Sequence, residues 1–133
     1  MTRALSSNLN FCYTLLFTGD SEMKRGCFIR ALLCFENCRQ KAEELIVEDS
    51  VYQYCYFRSL RKEAQCLRYM GLHKRCYKVL QGYRNFGKDD WHSQEKLFVL
   101  LQLFDLSEQF EPQKSDYYFE LLSNEANYLK GKQ

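Results

Sequence analysis

Seven cysteines, at positions 12, 27, 34, 38, 55, 66 and 76, carry most of the chemistry available to this 133-residue chain. Cys34 and Cys38 stand one helical turn apart and Cys27 shares their face; Cys55 or His73 would complete a four-ligand zinc set. Structural zinc sites are built on C-x-x-C knuckles, and the sequence has none. Core packing is the expected role, because a reduced thiol behaves as a small hydrophobe. The odd number of cysteines and the absence of a secreted disulfide spacing favour a reducing compartment, cytoplasm or nucleus. The carboxylates Glu43, Glu44, Glu48 and Asp49 read as a charged helix end. His73 and His92 lie in polar surroundings, with no Ser or Cys in an elbow-like setting and no Gly-rich phosphate loop. The expectation is a non-enzymatic protein without cofactor or metal.

Charge offers a second chemistry. The net charge of +2 hides a strong asymmetry. Residues 1–57 hold six basic and seven acidic groups, 58–88 nine basic and one acidic, and 89–133 four basic and nine acidic. The basic block contains Arg58, Arg61, Lys62, Arg68, Lys74, Arg75, Lys78, Arg84 and Lys88, interleaved with Tyr54, Tyr56, Tyr69, Tyr77 and Tyr83. Cations beside flat rings suit an acidic peptide. They also suit single-stranded nucleic acid, with charge for phosphate and stacking for bases, or pairing with the acidic C-terminal third of this chain or of a neighbour. A pI near 8.1 favours the protein partner over a dedicated nucleic-acid binder.

The elements that must position these residues read as helices. One proline and six glycines leave little room for the frequent turns of a β-sandwich. "NLNFCYTLLF", residues 8–17, predicts a short helix ended by Gly19. Asp20 or Ser21 then caps a long one, because Met23, Cys27, Ala31, Cys34, Cys38, Ala42 and Leu45 recur at three- and four-residue steps. Asp49 or Ser50 caps a third, with Tyr52, Tyr56, Leu60, Ala64, Leu67 and Gly71 in phase, although the alternation in "VYQYCYF" would also suit a strand. A fourth carries Leu72, Cys76, Leu80, Tyr83 and Phe86 to a Gly87 cap. The fifth starts at Asp89 or Asp90, with Leu97, Leu101 and Phe104 on one face and Phe98, Leu100 and Leu103 beside it. Pro112 breaks the chain before a last helix bearing Phe119, Leu122, Ala126 and Leu129. No run is long enough to span a bilayer, and the N-terminus lacks the cleavage site of a signal peptide.

In "SLRKEAQCLRYMGLHKRCYKVLQGY" the order large, small, large, Gly, small, large resembles a tetratricopeptide repeat, a helix–turn–helix of 34 residues. Leu60, Ala64 and Leu67 take the first-helix positions, Gly71 the turn, and Cys76 and Leu80 the second helix. Tyr83 departs from the family's alanine, and no proline closes the unit. Gly26, Phe28, Ala31, Phe35 and Cys38 repeat the second-helix spacing and Gly19 fits the small first-helix position, while Glu22 replaces a large residue. On this template Gly26 opens the second-helix spacing; the alternative is that it lies inside one long helix. The likeness covers residues 8–86, with irregular units.

The resemblance implies a scaffold whose concave face, lined by the first helix of each pair, takes up a peptide or a partner's helix. The sequence is thus expected to form a single all-α domain over 1–133, about six antiparallel helices in an irregular repeat-like array or bundle. It is expected to serve as an interaction module, whether adaptor, chaperone or subunit of an assembly. The expected partner-binding residues are Arg58, Arg61, Lys62, Gln65, Arg68, Tyr69, Lys74, Arg75 and Lys78. The partner would be a peptide or amphipathic helix, or a further copy in an oligomer; nucleic acid on the same face is the alternative.

Overall fold

A computed structural model describes residues 2–84 and 90–131, with side chains from Ser7 and, after the break, from His92. Among these residues there are six α-helices and no strand: α1 (Thr2–Lys24), α2 (Phe28–Leu45), α3 (Gln53–Tyr69), α4 (His73–Gln81), α5 (Asp90–Phe110) and α6 (Ser115–Gly131). Short 3-10 turns at Ser50–Tyr52 and Pro112–Lys114 precede α3 and α6. The chain forms two compact units, 1–72 and 73–133. Phe86 and the Gly87 cap expected after α4 lie outside the described residues.

The first helix is longer than its apolar pattern suggests, and it runs through Gly19 instead of ending there. Asp20 and Ser21 lie within α1 and cap nothing. The break falls at Gly26, so residues 20–45 do not form one helix. Gly26 takes φ +79° and Gly71, 45 residues later, takes φ +77°. The two turns share their hydrogen bonds. Cys27 N donates to Glu22 O (2.8 Å) and Gly26 N to Met23 O (3.0 Å); Leu72 N donates to Leu67 O (2.8 Å) and Gly71 N to Arg68 O (3.1 Å). This is the Schellman arrangement, which places the residue after the last turn in the left-handed region that disfavours a Cβ. Gly26→Ala and Gly71→Ala are each expected to lose about 1 kcal/mol in chemical denaturation. Unchanged midpoints would contradict that reading.

In the first unit α2 packs against both α1 and α3, antiparallel to each. Tyr13 stacks near Tyr54 (6.1 Å between centroids) and Lys62 pairs with Asp20 (3.3 Å), so α1 and α3 run in the same direction. Phe35, Cys38 and Ala42 of α2 are fully buried, whereas Cys34 and Leu45 are only half-buried. Gly19 lets α1 approach α2: a Cβ there would lie 2.5 Å from Phe35 Cε1.

The strand-like "VYQYCYF" is helical because α3 is enclosed on several sides. Tyr52, Cys55, Tyr56 and Phe57 are all buried, followed by Leu60, Ala64 and Leu67. Asp49 Oδ1 accepts from Val51 N (2.9 Å) and starts the 3-10 turn that leads into the helix. A single outward stripe remains on α3: Tyr54, Arg58, Arg61, Lys62, Gln65 and Tyr69, with Arg61 and Lys62 half-buried.

In the second unit α5 packs against α4 and α6. Val99, Leu100, Leu103 and Leu106 of α5 and Cys76, Tyr77 and Leu80 of α4 are all buried. Leu101, expected to face inward, is 51% exposed; the inward stripe lies one position to either side of it. On α6 only Tyr118 is buried, where it meets the Tyr77 ring edge-on (6.4 Å). Phe119 and Ala126 of the expected stripe are exposed, although the Phe119 ring leans on Phe104 of α5 (5.5 Å between centroids).

Candidate functional site

The outward stripe of α3 meets the end of α1 and the start of α2 in an open groove of about 470 Å³. Asp20, Met23 and Lys24 come from the last turns of α1, Phe28 opens α2, and Arg58, Lys62 and Tyr69 belong to α3. The Gly26 turn creates this arrangement, since it reverses the chain between Lys24 and Phe28 and sets both beside α3. Phe28 and Tyr69 stack with centroids 4.9 Å apart and an interplanar angle of 22°, forming an aromatic wall. Tyr69 is nevertheless 75% exposed.

Three cations and one carboxylate share the groove. Lys62 is held by Asp20 at 3.3 Å, while Lys24 and Arg58 are exposed. A surface pair of this kind adds at most about 1 kcal/mol to stability, so its consequence is orientation. It fixes one ammonium against α1 and leaves the net charge of the lining positive. The combination can hold a carboxylate or phosphate at the rim and a flat or aliphatic side chain against Phe28, Tyr69 and Met23.

Of the nine residues expected to bind a partner, the groove gathers Arg58, Lys62 and Tyr69. Gln65 is exposed on the same stripe but does not line it. Arg61 and Arg68 are half-buried and already interact with other residues. Lys74, Arg75 and Lys78 are exposed on α4, in the second unit. Sequence reasoning passed over Lys24 and assigned Asp20 to a cap and Met23 and Phe28 to the core. Their shared signal is the position of the turn: once Gly26 ends α1, these residues flank it on both sides.

The cysteines assemble differently from the expected set. Cys38 joins Cys12 and Cys55, one from each helix of the first unit, and its Sγ reaches the backbone oxygen of Cys55 at 3.9 Å. All three are buried, and Cys38 Sγ also donates to Cys12 O (3.4 Å). Hydrogen bonds from its two neighbours lower the Cys12 thiol, and the same contacts together with burial raise Cys38. Burial above all pushes Cys66 up to about 11, with Lys62 opposing and Glu63 and Asp20 adding to the rise. Cys27 and Cys34 are half-buried, and among the described residues no group of three or more His, Cys, Asp or Glu side chains is placed to hold a metal ion. His92 is buried, contrary to its polar sequence surroundings.

No family model matches the chain, and neither a curated protein nor a solved structure matches it significantly. Among the described residues no helix is long and apolar enough to cross a membrane.

Proposed function

We propose that the first unit is a protein-docking module of tetratricopeptide-like design, which takes a segment of a partner protein into the groove between α1, the start of α2 and α3. The observation that carries this reading is the groove itself: an exposed aromatic stack bordered by Lys24, Arg58 and the braced Lys62. Six of its seven lining residues come from α1 and α3. In repeat proteins of this type the first helix of each pair lines the binding face, and α1 and α3 hold that rank in the template. The matching turns at Gly26 and Gly71 and the shared direction of α1 and α3 support the same design.

Selection from a displayed peptide library against the full chain tests the proposal. Selected peptides should lose about tenfold or more in affinity when Phe28→Ala and Tyr69→Ala are combined, as aromatic anchors dominate such sites, and Gln40→Ala on the outer face of α2 should change nothing. Peptides indifferent to the groove variants would refute it.

The nucleic-acid reading rests on Tyr54 and Tyr69, 46% and 75% exposed at the two ends of the stripe that holds Arg58, Arg61 and Lys62. Oligonucleotide binding that falls steeply with salt, and disappears in Arg58→Glu combined with Arg61→Glu, would decide for it. The docking reading expects no such binding.

A further inference from the structure

The groove is basic and aromatic, and the same chain carries an exposed surface of complementary composition. On α6, Asp116, Tyr117, Glu120, Asn124 and Tyr128 recur at helical spacing, and all are exposed. Tyr117 is 58% exposed, Phe119 beside it 54% and Tyr128 41%. Tyr118 is the one described side chain of α6 that is buried, so Tyr117 and Tyr128 keep much of their surface exposed, and exposed aromatic faces rimmed by charge mark association surfaces. The stretch that forms α5 and α6 is acidic: residues 90–131 hold eight Asp and Glu against three Lys.

We propose that the occupant of the groove is α6 of a second copy of this chain, so that the protein self-associates through acid–aromatic to base–aromatic pairing. This rests on the reading of the groove as a docking site and adds the identity of what docks. Asp116 and Glu120, one turn apart, present two carboxylates from a single helix face to Lys24 and Arg58. Tyr117, on the same side of the helix, supplies a ring for the wall formed by Phe28 and Tyr69. Lys62, already paired to Asp20, is left out of the exchange, which places the recognition on the two exposed cations. Opposite-sign patches of this kind set partner choice and association rate, and their contribution fades with salt. Reciprocal exchange between two copies closes a twofold dimer, whereas one-way exchange extends a chain of copies.

Sedimentation equilibrium of the full chain over a concentration series at low salt tests this. The expected result is a mass rising from the 16.0 kDa monomer to at least twice that value, and falling back when salt is added. Lys24→Glu with Arg58→Glu should weaken self-association about tenfold or more, and so should Asp116→Lys with Glu120→Lys. All four substitutions lie at exposed positions, and circular dichroism checks that each variant stays helical. Mixing the two variants, or combining all four changes in one chain, should restore association because the pairing is only reversed. A monomer at every concentration, or a charge swap that restores nothing, overturns the proposal. If the chain is monomeric yet display-selected peptides still need Phe28 and Tyr69, only the self-association is lost. If neither peptide nor second copy uses the groove, the docking reading falls with it.

Discussion

Replacing Arg39 by Met is expected to destabilise the protein by about 3–5 kcal/mol, the range for leaving one member of a buried ion pair without its partner. Glu63 of α3 is 1% exposed and Arg39 of α2 is 18% exposed at the side chain. The guanidinium grips both carboxylate oxygens as a fork, Nε donating to Oε1 and Nη2 to Oε2 (3.4 Å), while Nη1 donates to Glu43 Oε2 (3.4 Å). Bidentate geometry of this kind offsets the desolvation of two charges only while both are present. Removing Arg39 takes away the cation that both oxygens of this buried carboxylate face across the interface between α2 and α3.

Removing both charges is a different experiment. Arg39→Met combined with Glu63→Leu should cost far less than the sum of the single losses, because the stranded charge disappears. Urea denaturation of the four members of this cycle gives the coupling directly. Additive losses would mean that the pair contributes nothing as a pair.

The second large effect is expected at Gly19. In an exposed helix Gly→Ala is stabilising by about 1 kcal/mol. Here the new Cβ would meet Phe35 Cε1 at 2.5 Å, Cζ at 2.8 Å and Cδ1 at 3.0 Å. Phe35 is completely buried and has no solvent to move into, so either the ring leaves its rotamer or α1 shifts away from α2. Gly19→Ala should therefore lose about 1–3 kcal/mol overall, the usual cost of overpacking. In a Phe35→Leu background the same substitution should become neutral or stabilising, since the clashing ring atoms are gone. A loss of equal size in both backgrounds would show that Phe35 is not the cause.

These two positions also show how much was legible. Periodicity located α3 and its buried face; Arg58, Lys62 and Tyr69 were expected to bind a partner from the charge pattern and the repeat resemblance. It failed between residues 17 and 28 because glycine has two opposite uses. Gly19 permits a close helix contact within α1, and Gly26 permits the positive φ of a turn. Hydropathy spacing took Gly19 for a helix end and ran straight across Gly26. A groove beside α3 was expected, but its other side was missed for the same reason, since Lys24 and Phe28 become its walls only after the chain reverses at Gly26. The pairing of Arg39 with Glu63 was invisible because residues 24 apart carry no local signal. On α6 the pattern named an apolar stripe correctly as apolar but not as exposed, since burial depends on what lies opposite.

The docking site on the first unit is tested most directly by amide chemical shifts of the isotopically labelled full chain, titrated with a display-selected peptide. The groove predicts that the perturbed amides cluster at 20–28 and 58–69, the stretches that carry all of its lining residues. Saturable shifts centred elsewhere, on α4 to α6 or along the outer face of α2, would contradict it.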